Sequence, residues 1–272
     1  EEFKKIKQES ISEKVFKSIN TGEKMTGSHY DVAEVVCDYY QNEFVCSGLK
    51  ENMWYYFNEN KGQDPDIFLR VGSKEEVGFS ILYTPPIYNP KILICGQNPG
   101  NFGFSWDDEF NDEMLKGEVP SVNTYTAGRD NHSYPFAFAK FIRSQFDSTS
   151  ERKEILNNNT VGMNIWPCQY HGTPKFSSKE RKEYLKTFHR FSIQVIRAIN
   201  PENIICISVK AFDVLNKKKA TQIKKHEHGG RYSGRGFFGE IPVYLVGHPA
   251  SYTPKELLYE ALDDAIGEIE SK

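Results

Sequence analysis

The stretch Lys91-Ile-Leu-Ile-Cys-Gly-Gln-Asn-Pro-Gly100 decides the fold. Its apolar run, Lys91 to Cys95, is cut off by Gly96 and Pro99, which is how a buried parallel strand of an α/β sheet ends. Ligands and chemistry in such sheets lie outside the carboxyl ends of the strands. Asn98 therefore falls where an α/β enzyme keeps its working groups. Two later runs repeat the pattern. Val161-Gly-Met-Asn-Ile-Trp-Pro167 carries Asn164 toward Pro167, and Ile241-Pro-Val-Tyr-Leu-Val-Gly-His-Pro249 delivers His248 just before Pro249. A single Asn in a loop most often closes a turn, and a single His is most often structural. Two Asn and one His, in this order and each near a strand end, form a constellation.

On these residues the chain resembles the uracil-DNA glycosylase superfamily, and most of all its single-strand-selective monofunctional branch. The first motif of that branch is matched by Gly96-Gln97-Asn98-Pro99-Gly100, and its base-reading Asn by Asn164. Its His-Pro motif and the wedge after it are matched by His248-Pro249-Ala250-Ser251-Tyr252. Pro135-Phe136 looks like the family's aromatic that stacks on the extruded base, with Phe102, Phe104 and Phe138 as rivals. The resemblance covers roughly Tyr83 to Glu268. It implies a three-layer α/β/α fold around a mostly parallel four-stranded sheet. It also implies base excision from DNA with no cofactor, by a monomer.

Composition sets the bounds. The 272 residues suit one large α/β domain with elaborations. The core is expected over 76–272, with residues 1–75 as an N-terminal helical layer. No window resembles an apolar transmembrane span, and Glu1-Glu-Phe-Lys-Lys-Ile6 lacks the apolar centre of a signal peptide. The expected location is the cytoplasm of a bacterial cell or the nucleus of a eukaryotic one, not the exterior. Five Cys, with no C-x-x-C pair, read as small buried hydrophobes at Cys95, Cys168 and Cys206. Their spacing argues against zinc or an iron–sulfur cluster. With a net charge of −3 the chain has no general basic coat, so contact with DNA needs a local patch.

That patch is sought between Lys217 and Arg235. Lys217, Lys218, Lys219, Lys224, Lys225, Arg231 and Arg235 crowd a glycine-rich segment that reads as a loop able to follow phosphates. A solvated connection is the plain alternative. His226-x-His228 lacks a third ligand in range, so no metal is expected. The acidic run Trp106 to Met114, inside a long insertion over 104–133, should face away from DNA or act as a lid.

Around these points the periodicity predicts helices. One opens near Tyr134 and another follows the capping box Ser177-x-x-Glu180. The latter runs to Ile199 with Leu185, Phe188, Ser192, Val195 and Ile199 buried. A short helix spans Val209 to Leu215, after a buried strand over Asn203 to Ser208. A last helix follows the box Thr253-Pro-Lys-Glu256, with Leu257, Leu258, Ala261, Leu262, Ala265 and Ile269 facing inward. Alternating strands and helices give a parallel-rich sheet covered on both faces.

The expected chemistry follows from the resemblance. Asn98 holds a water, and His248 donates to the charge that develops on the departing base. Asn164 reads the Watson–Crick edge with its amide, oriented for uracil or, flipped, for cytosine. Gly96, Gln97 and Phe102 complete the base pocket, and Ser251 and Tyr252 meet the DNA. Tyr252 either stacks in the vacated position or staples onto Leu257 at the helix start. Uracil or a 5-substituted uracil is the expected base, in single- or double-stranded DNA. A bulky modified cytosine of phage DNA is the runner-up. A relative that grips DNA without catalysis, and a phosphate-cradling nucleotide enzyme, are the competing classes. The second lacks the Lys-Ser/Thr pair of a P-loop.

Overall fold

The computed structural model describes residues 81–82, 84–97, 123, 125–126, 134–166, 179–216, 220–227, 230–249 and 251–272, with backbone alone at 134–137 and 179–188. The N-terminal layer, nearly all of the insertion, Ser177, Cys37, Cys46, Cys168 and His228 lie outside the described residues.

Strands β1 (Ile92–Gly96), β2 (Thr160–Asn164) and β3 (Ile204–Cys206) are buried at every position. A strand reads as an unbroken apolar run when both faces of its sheet are covered. Side chains on a strand alternate between faces, and here they feed two cores. Leu93, Cys95, Val161, Met163, Ile204 and Cys206 join Val243 and Leu245 of β6 (Ile241–Val246) in one cluster. There they meet Phe191, Val195 and Ile199 of α3 (Lys179–Ile199) and Phe212 and Leu215 of α4 (Val209–Leu215). Ile92, Ile94, Ile205, Tyr244 and Val246 face the other way. They pack on α1 (Tyr134–Phe146), α2 (Ser150–Asn158) and α5 (Lys255–Glu270) through Phe141, Ile142, Leu156, Leu258, Leu262 and Ile266. Each such aliphatic contributes ~1.5–3 kcal/mol on burial. The chain is thus an α/β protein with helices on both faces of one sheet.

The sheet has six strands, in the order β2-β1-β3-β6-β5-β4, rather than the four expected. β2, β1, β3 and β6 run parallel. The addition is the hairpin β4 (Thr221–Lys225) and β5 (Arg231–Phe238), antiparallel to each other and, through β5, to β6. Part of the segment read as a phosphate-following loop is therefore sheet. Its glycines are spacers. A Cβ at Gly234 would meet Ile223 of β4, and one at Gly236 would meet Asn216, whose Oδ1 accepts from the Phe237 N–H at 3.3 Å. β4 ends the described sheet with lysines along it, a common way of blunting an edge.

Chain order sets where a ligand can enter. From β1 the chain goes to β2 on one side, then crosses to β3 on the other. The helices change face with it, since α1 and α2 lie between β1 and β2 while α3 lies between β2 and β3. The carboxyl ends of β1 and β3 therefore flank a topological switch point, where open α/β sheets leave a crevice.

Local details differ from expectation in two places. α5 starts at Lys255, capped by the extended Pro254 (ψ 137°) with no side-chain cap bond. The Thr253 box is not made, because Thr253 is buried and donates its own N–H to Ser251 Oγ at 3.4 Å. Ile266, not Leu257, completes the buried stripe of α5. α3 ends as read, with Asn200 in the left-handed region (φ 53°) and its N–H on the Ile196 carbonyl at 2.9 Å.

Candidate active site

The pleat sorts the candidate groups by face. On β2, Val161 and Met163 enter the α3/α4 core, so Gly162 and Asn164 face the α1/α5 side. On β6, Tyr244 and Val246 face that same side, and His248 continues their parity two residues on. Asn164 is fully buried, its N–H donating to the Ile81 carbonyl at 2.7 Å. Gly96 is its register partner on β1 and accepts from the Ile165 N–H at 3.0 Å. The β1 and β2 ends are thus tied side by side beneath the loop that begins at Gln97. Asn98 and Phe102 lie outside the described residues, as do Lys217, Lys218 and Lys219.

His248 lies against an aromatic. Its ring stacks on Phe138 of α1, with centroids 6.2 Å apart and planes 14° from parallel. Phe138 in turn leans on Tyr125 at 6.2 Å. Burial holds the His248 pKa below the usual histidine range, because a charged imidazolium loses its hydration there. The neutral ring is the resident form at pH 7. Phe138, read from the sequence only as a rival to Phe136, is the aromatic beside His248. The Phe136 side chain is outside the described part of α1.

Gly247 explains why this loop is tight. A Cβ there would stand 2.7 Å from Leu258 of α5 and 3.3 Å from the Tyr232 backbone, whose carbonyl takes the Gly247 N–H at 2.8 Å. Beyond His248 a turn closes, the Ser251 N–H reaching the His248 carbonyl at 2.8 Å. Tyr252 follows and is 97% exposed, alone among large hydrophobic side chains of the described residues. A side chain stapled onto Leu257 would be partly covered. The staple reading is set aside, and Tyr252 stands bare beside the His248 turn.

Gln97, read from the sequence as part of the base pocket, instead serves the other face, because its amide is taken by the residue that caps α4; the rest of that face carries groups that the sequence did not single out. Gln97 turns toward α4, its Oε1 accepting from Ser208 Oγ at 3.2 Å, while its carbonyl takes the Trp166 N–H at 2.9 Å. The Trp166 indole N–H donates to His189 Nε2, and the two rings stack at 5.8 Å and 20°. Lys210 holds its ammonium 5.8 Å from the Trp166 ring centroid. Trp166 was readable only as the apolar residue before Pro167, and Ser208 only as the end of a strand.

His189 is itself a testable feature. Burial lowers its pKa from 6.5 to about 4, and only an unprotonated Nε2 can accept the indole proton. The folded state therefore prefers neutral His189. Its share of stability is complete above pH 6.5 and is lost as pH falls from there to about 4, where the unfolded chain binds the proton first. His189→Gln keeps an acceptor and cannot titrate in this range. The thermal midpoint of the wild type should drop more between pH 7 and pH 4.5 than that of the variant. Parallel curves would show that His189 does not govern the acid limb.

The expected DNA-contacting cations fall into distinct situations. Lys225 and Arg231 are register partners where the hairpin meets the carboxyl edge of the sheet. Arg231 pairs with Asp213 at 2.5 Å, Arg235 with Glu268 at 2.8 Å, and Lys224 with Asp264 at 3.3 Å and Glu260 at 3.5 Å. These pairs tie the hairpin to α4 and α5 and offset much of its positive charge. Lys225 is exposed with no carboxylate partner among the described residues. No group of three or more metal-ligating side chains occurs among the described residues, and none of their helices is long and apolar enough to cross a membrane. No protein-family model matches the chain, and no curated protein matches it.

Proposed function

We propose that this chain is a monofunctional DNA glycosylase, which takes a uracil or 5-substituted uracil out of the strand and hydrolyses its N-glycosidic bond. The observation that carries the reading is that Asn164 and His248 share one face and one edge of the sheet. They arrive from the ends of β2 and β6 on one face of the sheet, with Phe138 stacked on His248. A buried amide, a half-buried neutral imidazole and an aromatic wall suit a planar uncharged base. They do not suit a phosphate, which the nucleotide-enzyme alternative requires.

Each group then has a task. A flipped base lies along the aromatic wall and presents its edge to Asn164, whose amide matches one acceptor and one donor. As the bond to the sugar lengthens, negative charge grows on the base oxygen. Neutral His248 donates a hydrogen bond there, in a site dry enough for that bond to count. Asn98 carries a water to the sugar carbon and orients it, since an amide is too weak a base to deprotonate it. Tyr252, bare beside His248, stacks on a neighbouring base and holds the gap.

Base release from a panel of oligonucleotides tests this reading. The panel carries uracil, 5-hydroxymethyluracil, hypoxanthine and phage-type modified cytosine, single- and double-stranded, with alkali revealing abasic sites. Release of a uracil-type base by the wild type and not by Asn98→Ala is the expected result. Release of the modified cytosine alone would move the substrate to phage DNA. Salt-dependent DNA binding with no release from any member would leave a binding protein in place of an enzyme.

A further inference from the structure

We infer that Lys210, held against Trp166 at the switch point, grips a backbone phosphate of the DNA strand that the site processes. The inference rests on the glycosylase reading for the identity of the polyanion. The cations of the described residues differ in their partners. Lys224, Arg231 and Arg235 already have carboxylates at 2.5 to 3.5 Å. Lys210 has no carboxylate within ion-pair distance among the described residues, and what faces its ammonium is the indole of Trp166.

A ring face is a partial substitute for water around an ammonium. Lys210 is half-buried, and the desolvation lowers its pKa. An amine in that position gains from an anion more than a fully hydrated surface lysine does, because part of the dehydration cost is already met in the free protein. The platform beneath it is fixed. Trp166 is buried, hydrogen-bonded to His189 and stacked on it.

Lys210 follows β3, two residues after Ser208, and Ser208 is fastened to Gln97 immediately before Asn98. Lys210 thus joins the ends of β1, β2 and β3 on the α3/α4 side, while Asn164 and His248 serve the α1/α5 side. A strand crossing this edge puts its base on one face and a phosphate on the other. The sheet edge between them sets the distance from the gripped phosphate to the extracted base.

The test is the salt dependence of binding to a short labelled single-stranded oligonucleotide, for wild type, Lys210→Gln, Lys210→Arg and the charge-matched control Lys153→Gln on α2. Each phosphate contact contributes about 0.7 to the slope of log affinity against log salt for single strands. Lys210→Gln should lower the slope by about that amount, while Lys210→Arg and Lys153→Gln keep the wild-type slope. On a cleavable substrate Lys210→Gln should raise KM and leave kcat nearly unchanged. Melting curves establish that each variant is folded. Wild-type binding with an undiminished slope in Lys210→Gln would overturn the phosphate grip and leave the glycosylase reading standing. A wild type that binds no DNA and releases no base would overturn both.

Discussion

His248→Ala should slow base release by about 100- to 1,000-fold while DNA affinity changes little, the loss typical of removing one donor to a developing oxyanion. Geometry makes this the largest functional effect expected. The imidazole is half-buried and stacked on Phe138, and desolvation lowers its pKa. A donor in such a place strengthens as charge arrives on the leaving base, and it contributes little to ground-state binding, so the loss should fall on kcat. Single-turnover kinetics with saturating enzyme isolate the chemical step. A rate within about threefold of wild type would remove His248 from the chemistry, because far more than the ~0.6 kcal/mol of such a change is expected from this donor. The ring also packs, so His248→Gln is the second variant. It keeps a donor and should recover part of the rate.

The largest loss of stability from one small change is expected at Gly162. A Cβ at this position would stand 2.4 Å from the Tyr125 hydroxyl oxygen and 2.8 and 2.9 Å from its ring carbons. Tyr125 is 1% exposed and belongs to the α1/α5 core, so its ring has little space to retreat into. Gly162→Val adds three carbons there, and overpacking of this kind costs ~1–3 kcal/mol. The thermal midpoint should fall by ~2–4 °C for each kcal/mol in a domain of this size. Tyr125→Leu opens the space. If the clash is the cause, the double variant should be more stable than the sum of the two single losses. Additive losses would place the cost in the β2 backbone instead. Asn164 is two residues along the same face, so base release should fall in Gly162→Val even at temperatures where it stays folded.

Legibility in the sequence followed the physics of burial. β1, β2, β3 and β6 announced themselves because both faces of each are covered. Their sequences are then mostly apolar, with Thr160 and Asn164 of β2 as buried polar exceptions, and Gly or Pro marks where the cover ends. α3 and α5 were readable from one-sided periodicity. The hairpin was not. Thr221 to Phe238 has no apolar run, since β4 packs mainly through Ile223 and β5 accepts that side chain and Asn216 over Gly234 and Gly236. Lysines and glycines read as a mobile basic loop until the partner strand is in view. The cations likewise looked available because their carboxylates, Asp213 on α4 and Glu260, Asp264 and Glu268 on α5, are near in space and mostly remote in sequence. Asn164 and His248 were legible as members of a pattern, but their common face came from counting the pleat. The Lys210–Trp166–His189 group had no signal at all, since its members come from three elements and none stands in a recognisable spacing.

The order of elements along the chain also fixes a schedule. A ribosome making this chain finishes β1, β2 and β3 before it reaches β6. Asn164 is synthesised well ahead of His248, and α5, which covers the α1/α5 core, follows His248. Until His248 is added the nascent sheet has the residue proposed to read the base and lacks the one proposed to ease its departure. Under the glycosylase reading, the capacity to cut emerges only after the capacity to recognise, and a chain released early is left without the imidazole.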